Sequence, residues 1–257
     1  MTHGDISSLL DRVRARPQRC VLFTDFDGTL SPIVEVPADA RLLDGAAEVL
    51  SALATSLLDL VVVSGRPVEF LARQLPPEVS IVGLYGLEGR RHGHRWEHPT
   101  SGSWREVVAD ISTCATSTGP SGMRVEPKGI SLTLHYRGHP ELAAQVEELG
   151  RSLAARSGLE MRPARMSVEL HPPLSTDKGS VVERFASDAE VVIFAGDDVG
   201  DLPAFDALDR LAANGVEVAR LAVRSAEAPD ELIDRADLVL DGPDAVLDLL
   251  HSISPLR

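Results

Sequence analysis

Short apolar runs recur along the chain at Cys20 to Phe23, Leu60 to Val63, Ser80 to Leu84, Val191 to Ala195, Leu221 to Val223 and Leu238 to Leu240, separated by stretches with helical spacing. Near-continuous apolar runs of this length mark strands of a parallel sheet covered by helices on both faces. Between the first two runs, DGAAEVLSALA predicts a helix with Asp44 as its N-cap and Val49, Leu50 and Leu53 on one face. After Ser64-Gly65-Arg66, Pro67 takes the first helical position and Val68, Leu71, Ala72 and Leu75 form a stripe. Strand and helix alternate, which predicts a doubly wound, Rossmann-like α/β core with ligands bound beyond the carboxyl ends of its strands.

The middle of the chain follows another pattern. A helical stretch from about Trp104 leads into MRVEPKGISLTLHYRG, two strands around a Pro127-Lys128-Gly129 turn, with Ser131, Thr133 and His135 alternating against Leu132, Leu134 and Tyr136. A helix follows in PELAAQVEELGRSLAAR, with Leu142, Val146, Leu149 and Leu153 in a stripe, and then two short strands, LEMRP and SVELH, meeting at Ala164-Arg165. This is an antiparallel α+β pattern. It predicts an inserted domain over residues 104–172, splitting a core made of 1–103 and 173–257.

Composition narrows the functional classes. The 257 residues, 44% of them apolar, suffice for one large core or two modest ones. A formal charge of −14 and an isoelectric point near 5.0 oppose nucleic acid or an anionic membrane as the main partner. Cys20 and Cys114 fit neither a metal spacing nor a disulfide framework, and Cys20 opens an apolar run as a core residue would. The polar start MTHGDISSLLDRVRARPQR does not read as a signal peptide, and no apolar stretch approaches the roughly 20 residues that span a bilayer. A cytoplasmic monomer is the expectation.

The candidate chemistry lies at strand ends. In FTDFDGTL, Asp25 and Asp27 follow an apolar strand one residue apart. Side chains two apart on an extended chain point to the same side, so the two carboxylates could converge, at a like-charge cost that a divalent cation or a Lys would offset. A turn explains Asp27-Gly28 but leaves Asp25 unexplained. In VVIFAGDDVGDLPAF a second strand runs into Asp197, Asp198 and Asp201. Two acid clusters at ends of one sheet form a hard-cation site of oxygen ligands, Mg²⁺ being the expected ion. Lys178 would add a fixed positive charge and Ser64 a hydroxyl, and metal, Lys, Ser and backbone N–H groups together suit phosphoryl oxygens. Alone, Ser64-Gly65 reads as a turn and Lys178 as a surface lysine. Their ordered placement at strand ends favours chemistry.

DFDGTL, SGR, DKGS and GDDVGD, in that order, resemble the four motifs of the haloacid dehalogenase-like phosphatases, and the insert resembles the α/β cap that some members carry between the second and third motifs. The resemblance implies Asp25 as nucleophile, Asp27 as general acid and base, and Asp197 as completing a Mg²⁺ site with Asp25 and Asp27. It also implies that Gly28, Ser64, Gly65, Arg66 and Lys178 join Asp25 and Asp27 around the phosphate. FTDFDGTLSPIVEVPADA, GLYGLEG, EPKGISLTLHYR and VELHPPLSTDKGS are similar to the trehalose-6-phosphate phosphatases in particular, from about Arg19 to the end of the chain. That similarity implies sugar contacts from Glu126, Lys128 and Glu169 in a cap that closes over the core. The chain departs from the subfamily at Gly200 and Leu202, where GDDxTDE carries Thr and Glu, and at Tyr85, where His is common. Alternatives are a phosphatase for sucrose phosphate or a glycosyl-phosphoglycerate, and a non-catalytic sugar-phosphate-binding regulator.

Overall fold

Successive side chains of each expected strand pack alternately into two separate cores, which is why the runs are apolar throughout. Cys20, Leu22, Leu60, Val62, Val191 and Ile193 enter one core with Leu9, Leu10, Leu50, Leu53, Val246 and Leu250. Val21, Phe23, Val61, Val63, Val192 and Phe194 enter the other with Val181, Phe185, Phe205 and Leu208. The computed structural model describes residues 3–164, 166–225 and 228–255. It divides into two units, Met1–Trp96 with Thr176–Arg257, and Glu97–Ser175.

The first unit is an α/β layer structure. Its strands are β1 Cys20–Thr24, β2 Asp59–Val63, β3 Ser80–Gly83, β4 Glu88–Arg91, β5 His94–Glu97, β10 Val191–Gly196, β11 Glu217–Val223 and β12 Leu238–Leu240, in the order β12-β11-β10-β1-β2-β3-β4-β5. From β12 to β3 every pairing is parallel, and β4 runs antiparallel to β3. The helices are α1 His3–Ala15, α2 Ala46–Ser56, α3 Val68–Gln74, α6 Lys178–Phe185, α7 Leu202–Ala213, α8 Asp230–Arg235 and α9 Pro243–Ile253. The chain builds β1, β2 and β3 to one side and β10, β11 and β12 to the other, so the order reverses between β1 and β10, where open α/β sheets bind ligands.

The second unit has β6 Arg124–Pro127, β7 Leu132–His135, β8 Glu160–Ala164 and β9 Ser167–His171 in the antiparallel order β6-β7-β9-β8, with helices α4 Ser101–Thr118 and α5 Ala143–Ser157. Leu132, Leu134, Val168 and Leu170 pack with Val108, Ile111, Ala115, Val146 and Leu153 of those helices. The expected turn at Ala164-Arg165 falls on Arg165, which lies outside the described residues.

Two local expectations change, and two segments form elements that the pattern did not predict. Pro67 is the N-cap of α3, whose first helical residue is Val68. Asp44 does not cap α2; Gly45 holds the N-cap position at φ 80°, a left-handed backbone that suits glycine, and no side chain caps the helix. The polar N-terminal segment forms α1, which buries Leu9, Leu10 and Val13. The segment after β3 adds β4 and β5. Among the described residues, no helix is long and apolar enough to cross a membrane.

Candidate active site

β1 and β10 lie side by side in register, Thr24 opposite Ala195, and the Asp25 N–H donates to the Ala195 carbonyl at 2.9 Å. Asp25 and Asp197 therefore leave the sheet together. One carboxylate oxygen from each of Asp25, Asp197 and Asp201 lies within 4.8 Å of the others, and all three residues are buried. Asp201 is brought in by the turn at Val199–Asp201: its Oδ2 accepts the N–H groups of Asp197 at 2.9 Å and Asp198 at 3.0 Å. Lys178 opens α6, whose start is fixed by Asp177 and Ser180 in a reciprocal capping box. Its Nζ lies 2.7 Å from Asp25 Oδ2 and 2.5 Å from Asp201 Oδ1.

Burial governs the charges here. It pushes the Asp25 carboxyl well above the usual range; Lys178 opposes this, and Asp201 and Asp197 reinforce it. Asp201 is raised by burial and Asp198 against the pull of Lys178. Burial also disfavours the Lys178 ammonium, but Asp201 and Asp25 outweigh that and hold it protonated above the ordinary lysine value. Three carboxylates facing one ammonium form a donor set with negative charge in excess, suited to a hard cation.

Asp27 stands apart from that cluster. Its two oxygens accept a fork from Arg66, Nη2 to Oδ1 at 2.7 Å and Nε to Oδ2 at 2.8 Å. Arg66 is fixed in turn by donation from Nη1 to the Pro37 carbonyl at 2.6 Å and by stacking 4.5 Å from the centre of the Phe70 ring. Ser64 is buried at the end of β2, with its N–H on the Val82 carbonyl and its Oγ accepting the Arg66 N–H at 3.2 Å. Gly28 holds φ 73° while its N–H donates to the Ser31 carbonyl, and a Cβ there would overlap the Asp197 carboxylate. Only glycine permits both that backbone and that approach.

The second unit places Glu126, Thr133, Glu169 and Arg162 opposite one another across its four strands, and so on one face. Lys128 Nζ lies 3.4 Å from Glu169 Oε1, and His135 Nε2 lies 2.7 Å from Glu126 Oε2. The same face carries Ser131 and His171. The Ser131 and Thr133 hydroxyls and His171 Nε2 are buried and find no partner among the described residues. Alternation placed Thr133 and Ser131 on the polar face, but their burial, and that of His171, has no signal in the sequence.

The comparisons agree with this arrangement. The trehalose-phosphate phosphatase of Mycobacterium leprae is 29% identical over 226 residues, covering 82% of this chain and 52% of that protein. An uncharacterized glycosyl hydrolase of Mycobacterium tuberculosis is 32% identical over 211 residues, 74% of this chain and 15% of its own length. The chain thus spans about half, or far less, of the curated relatives it matches. The C-terminal domain of the Candida albicans trehalose-6-phosphate phosphatase superposes with a TM-score of 0.78 at 25% identity, covering 97% of each chain. A strand-end acid cluster with its lysine, and a match to trehalose-phosphatase over residues 23–234, place the chain in one group: it belongs to the trehalose-phosphatase family.

Proposed function

We propose that the chain is a Mg²⁺-dependent phosphatase that hydrolyses trehalose 6-phosphate to trehalose and orthophosphate through an aspartyl-phosphate. The observation that carries the reading is the buried Asp25, Asp197 and Asp201 cluster with Lys178 at its side, set at the switch point of a sheet belonging to this family. When bound, Mg²⁺ would neutralise the carboxylates and polarise the phosphoryl oxygens; Asp25 and Asp197 would hold it, Asp27 completing the set and Asp201 beside them.

Asp25 attacks phosphorus in line, forming an Asp25 O–P bond as the bond to the sugar oxygen breaks. Asp27, which must leave the Arg66 fork to take up a proton, gives that proton to the departing alkoxide. Its carboxylate then takes a proton from water, which attacks the aspartyl-phosphate, frees Asp25 and releases orthophosphate. Ser64, Gly65 and Lys178 contact the phosphoryl group, and the Arg66 fork orients Asp27. Glu126, Lys128 and Glu169 of the second unit, which acts as a cap, recognise the sugar.

The test is orthophosphate release from a panel of sugar phosphates with Mg²⁺ and with a chelator. Preference for trehalose 6-phosphate, lost in chelator and restored by Mg²⁺, is the expected result. Preference for sucrose phosphate or a glycosyl-phosphoglycerate would replace the substrate but keep the chemistry. Binding of trehalose 6-phosphate without release would replace the enzyme by a regulator.

A further inference from the structure

Leu84 and Tyr85 are consecutive residues with left-handed backbones, φ 51° and φ 56°. Side chains rarely adopt this region, and a run of two persists only where the surroundings impose it. The Ser64-Gly65-Arg66 turn imposes it here. The Leu84 N–H donates to the Arg66 carbonyl and the Tyr85 N–H to the Ser64 carbonyl, each at 3.1 Å, while the Leu84 side chain is buried.

The strain directs the Tyr85 ring onto Gly65. A Cβ at Gly65 would stand 2.6 Å from the Tyr85 hydroxyl oxygen and 2.7 Å from Cζ, so the phenol fills the space that a side chain there would need. At the ring's other edge, a Cβ at Gly200 would meet Tyr85 Cε1 at 4.0 Å. Gly200 belongs to the turn that carries Asp201 into the acid cluster. The half-buried ring thus lies between the turn after β2, which holds Ser64, and the loop after β10, which holds Asp197 and Asp201.

We propose that Tyr85 is a further substrate-contacting residue, its phenol O–H donating a hydrogen bond to a phosphoryl oxygen held at the Ser64-Gly65 turn. The proposal rests on the phosphatase reading above. It gives the strained backbone a use: the conformation sets a neutral, fixed donor beside Gly65, where a flexible side chain would lose more freedom on binding.

The experiment measures orthophosphate binding by calorimetry in Mg²⁺, together with kcat/KM for p-nitrophenyl phosphate, in wild type and Tyr85→Phe. Phe keeps the ring and removes only the donor. A hydrogen bond to a charged oxygen predicts affinity and kcat/KM both lower by on the order of 10-fold, with Tm unchanged. Unchanged affinity and turnover in Tyr85→Phe would overturn the proposal, as would a loss matched by a fall in Tm. A second pair of variants tests the ring's placement. Gly200→Thr pushes side-chain atoms at the ring, so it should weaken phosphate binding in wild type and add little in a Tyr85→Ala background. Equal losses in both backgrounds would overturn that placement. A wild type that neither binds orthophosphate nor hydrolyses any phosphomonoester would bring down the phosphatase reading and this proposal together, whereas an active wild type with an unaffected Tyr85→Phe removes this proposal alone.

Discussion

Lys178 Nζ lies 2.7 Å from the carboxylate of Asp25, and both side chains are buried. The pair is separated by 153 positions in the chain, yet each favours the other's charged form, with Asp201 as the third member. Removing one partner of a buried ionic group strands the other. We expect Lys178→Met to lose about 3–5 kcal/mol of unfolding free energy, because Asp25 and Asp201 then face one another without a counter-charge. Chemical denaturation at neutral pH measures this. An unchanged midpoint would show that the acids take up protons and do not need the ammonium.

Asp25 and Asp27 are one residue apart but occupy different settings, and their variants should differ in kind. Asp25→Asn should abolish turnover while the fold survives, because the amide is nearly isosteric but a poor nucleophile and a weak cation ligand. Asp27→Asn should retain ligand binding and lose roughly 10²- to 10⁴-fold in kcat, the usual contribution of a general acid and base. Steady-state assays with folding checked by circular dichroism decide it. Activity within tenfold of wild type for Asp25→Asn would remove Asp25 from the nucleophile's role.

The His171 imidazole is pushed below its ordinary pKa, by burial first and then by Arg162. Its Nδ1 lies 2.8 Å from the Pro172 carbonyl, which can only accept, so Nδ1 carries the proton of the neutral ring. A depressed pKa in the folded state means that the unfolded chain binds the proton more tightly. Stability from this residue is therefore complete above about pH 6.5 and is lost as pH falls toward the lower folded value, at up to about 1.4 kcal/mol per pH unit. Denaturation series from pH 5 to 8 should show a shallower slope for His171→Gln than for wild type. Parallel slopes would refute the assignment.

The strands that carry the site were legible in the sequence because a parallel sheet covered on both faces leaves continuous apolar runs, and the acids at Asp25 and Asp197 interrupt those runs at their carboxyl ends. β4 and β5 were not legible. Their segment, EGRRHGHRWE, is polar and sits at the sheet edge, where burial imposes little pattern. The helix α1 was obscured because Leu9, Leu10 and Val13 are too few among charged neighbours to mark a stripe. The pairings that organise the site, Arg66 with Asp27 and Lys178 with Asp201, follow from strand order and turn geometry, which residue types alone do not encode. The same holds for the burial of Thr133 and His171.

Discrimination between sugars needs groups that do not touch the phosphate, since every sugar phosphate would present the same phosphoryl oxygens to Asp25, Ser64 and Lys178, the phosphate contacts proposed above. The second unit offers such groups on one sheet face: Glu126 and Glu169 stand in one cross-strand row with Thr133 between them, and Lys128 reaches Glu169 from the turn. Glu169 is buried, and the Ser131 and Thr133 hydroxyls and His171 Nε2 on the same face find no partner among the described residues. Buried polar groups that only the right hydroxyls satisfy penalise a wrong sugar strongly, because its misplaced or missing hydroxyls leave them unpaired. We therefore expect Glu126→Ala, Lys128→Ala and Glu169→Ala each to lower kcat/KM for trehalose 6-phosphate by about 10-fold or more, while hydrolysis of p-nitrophenyl phosphate, which carries no sugar, stays within about twofold. The ratio of the two rates is the measurement. Equal losses on both substrates would assign these residues to folding or catalysis, and no loss on either would make the row a structural feature of the sheet with no part in recognition.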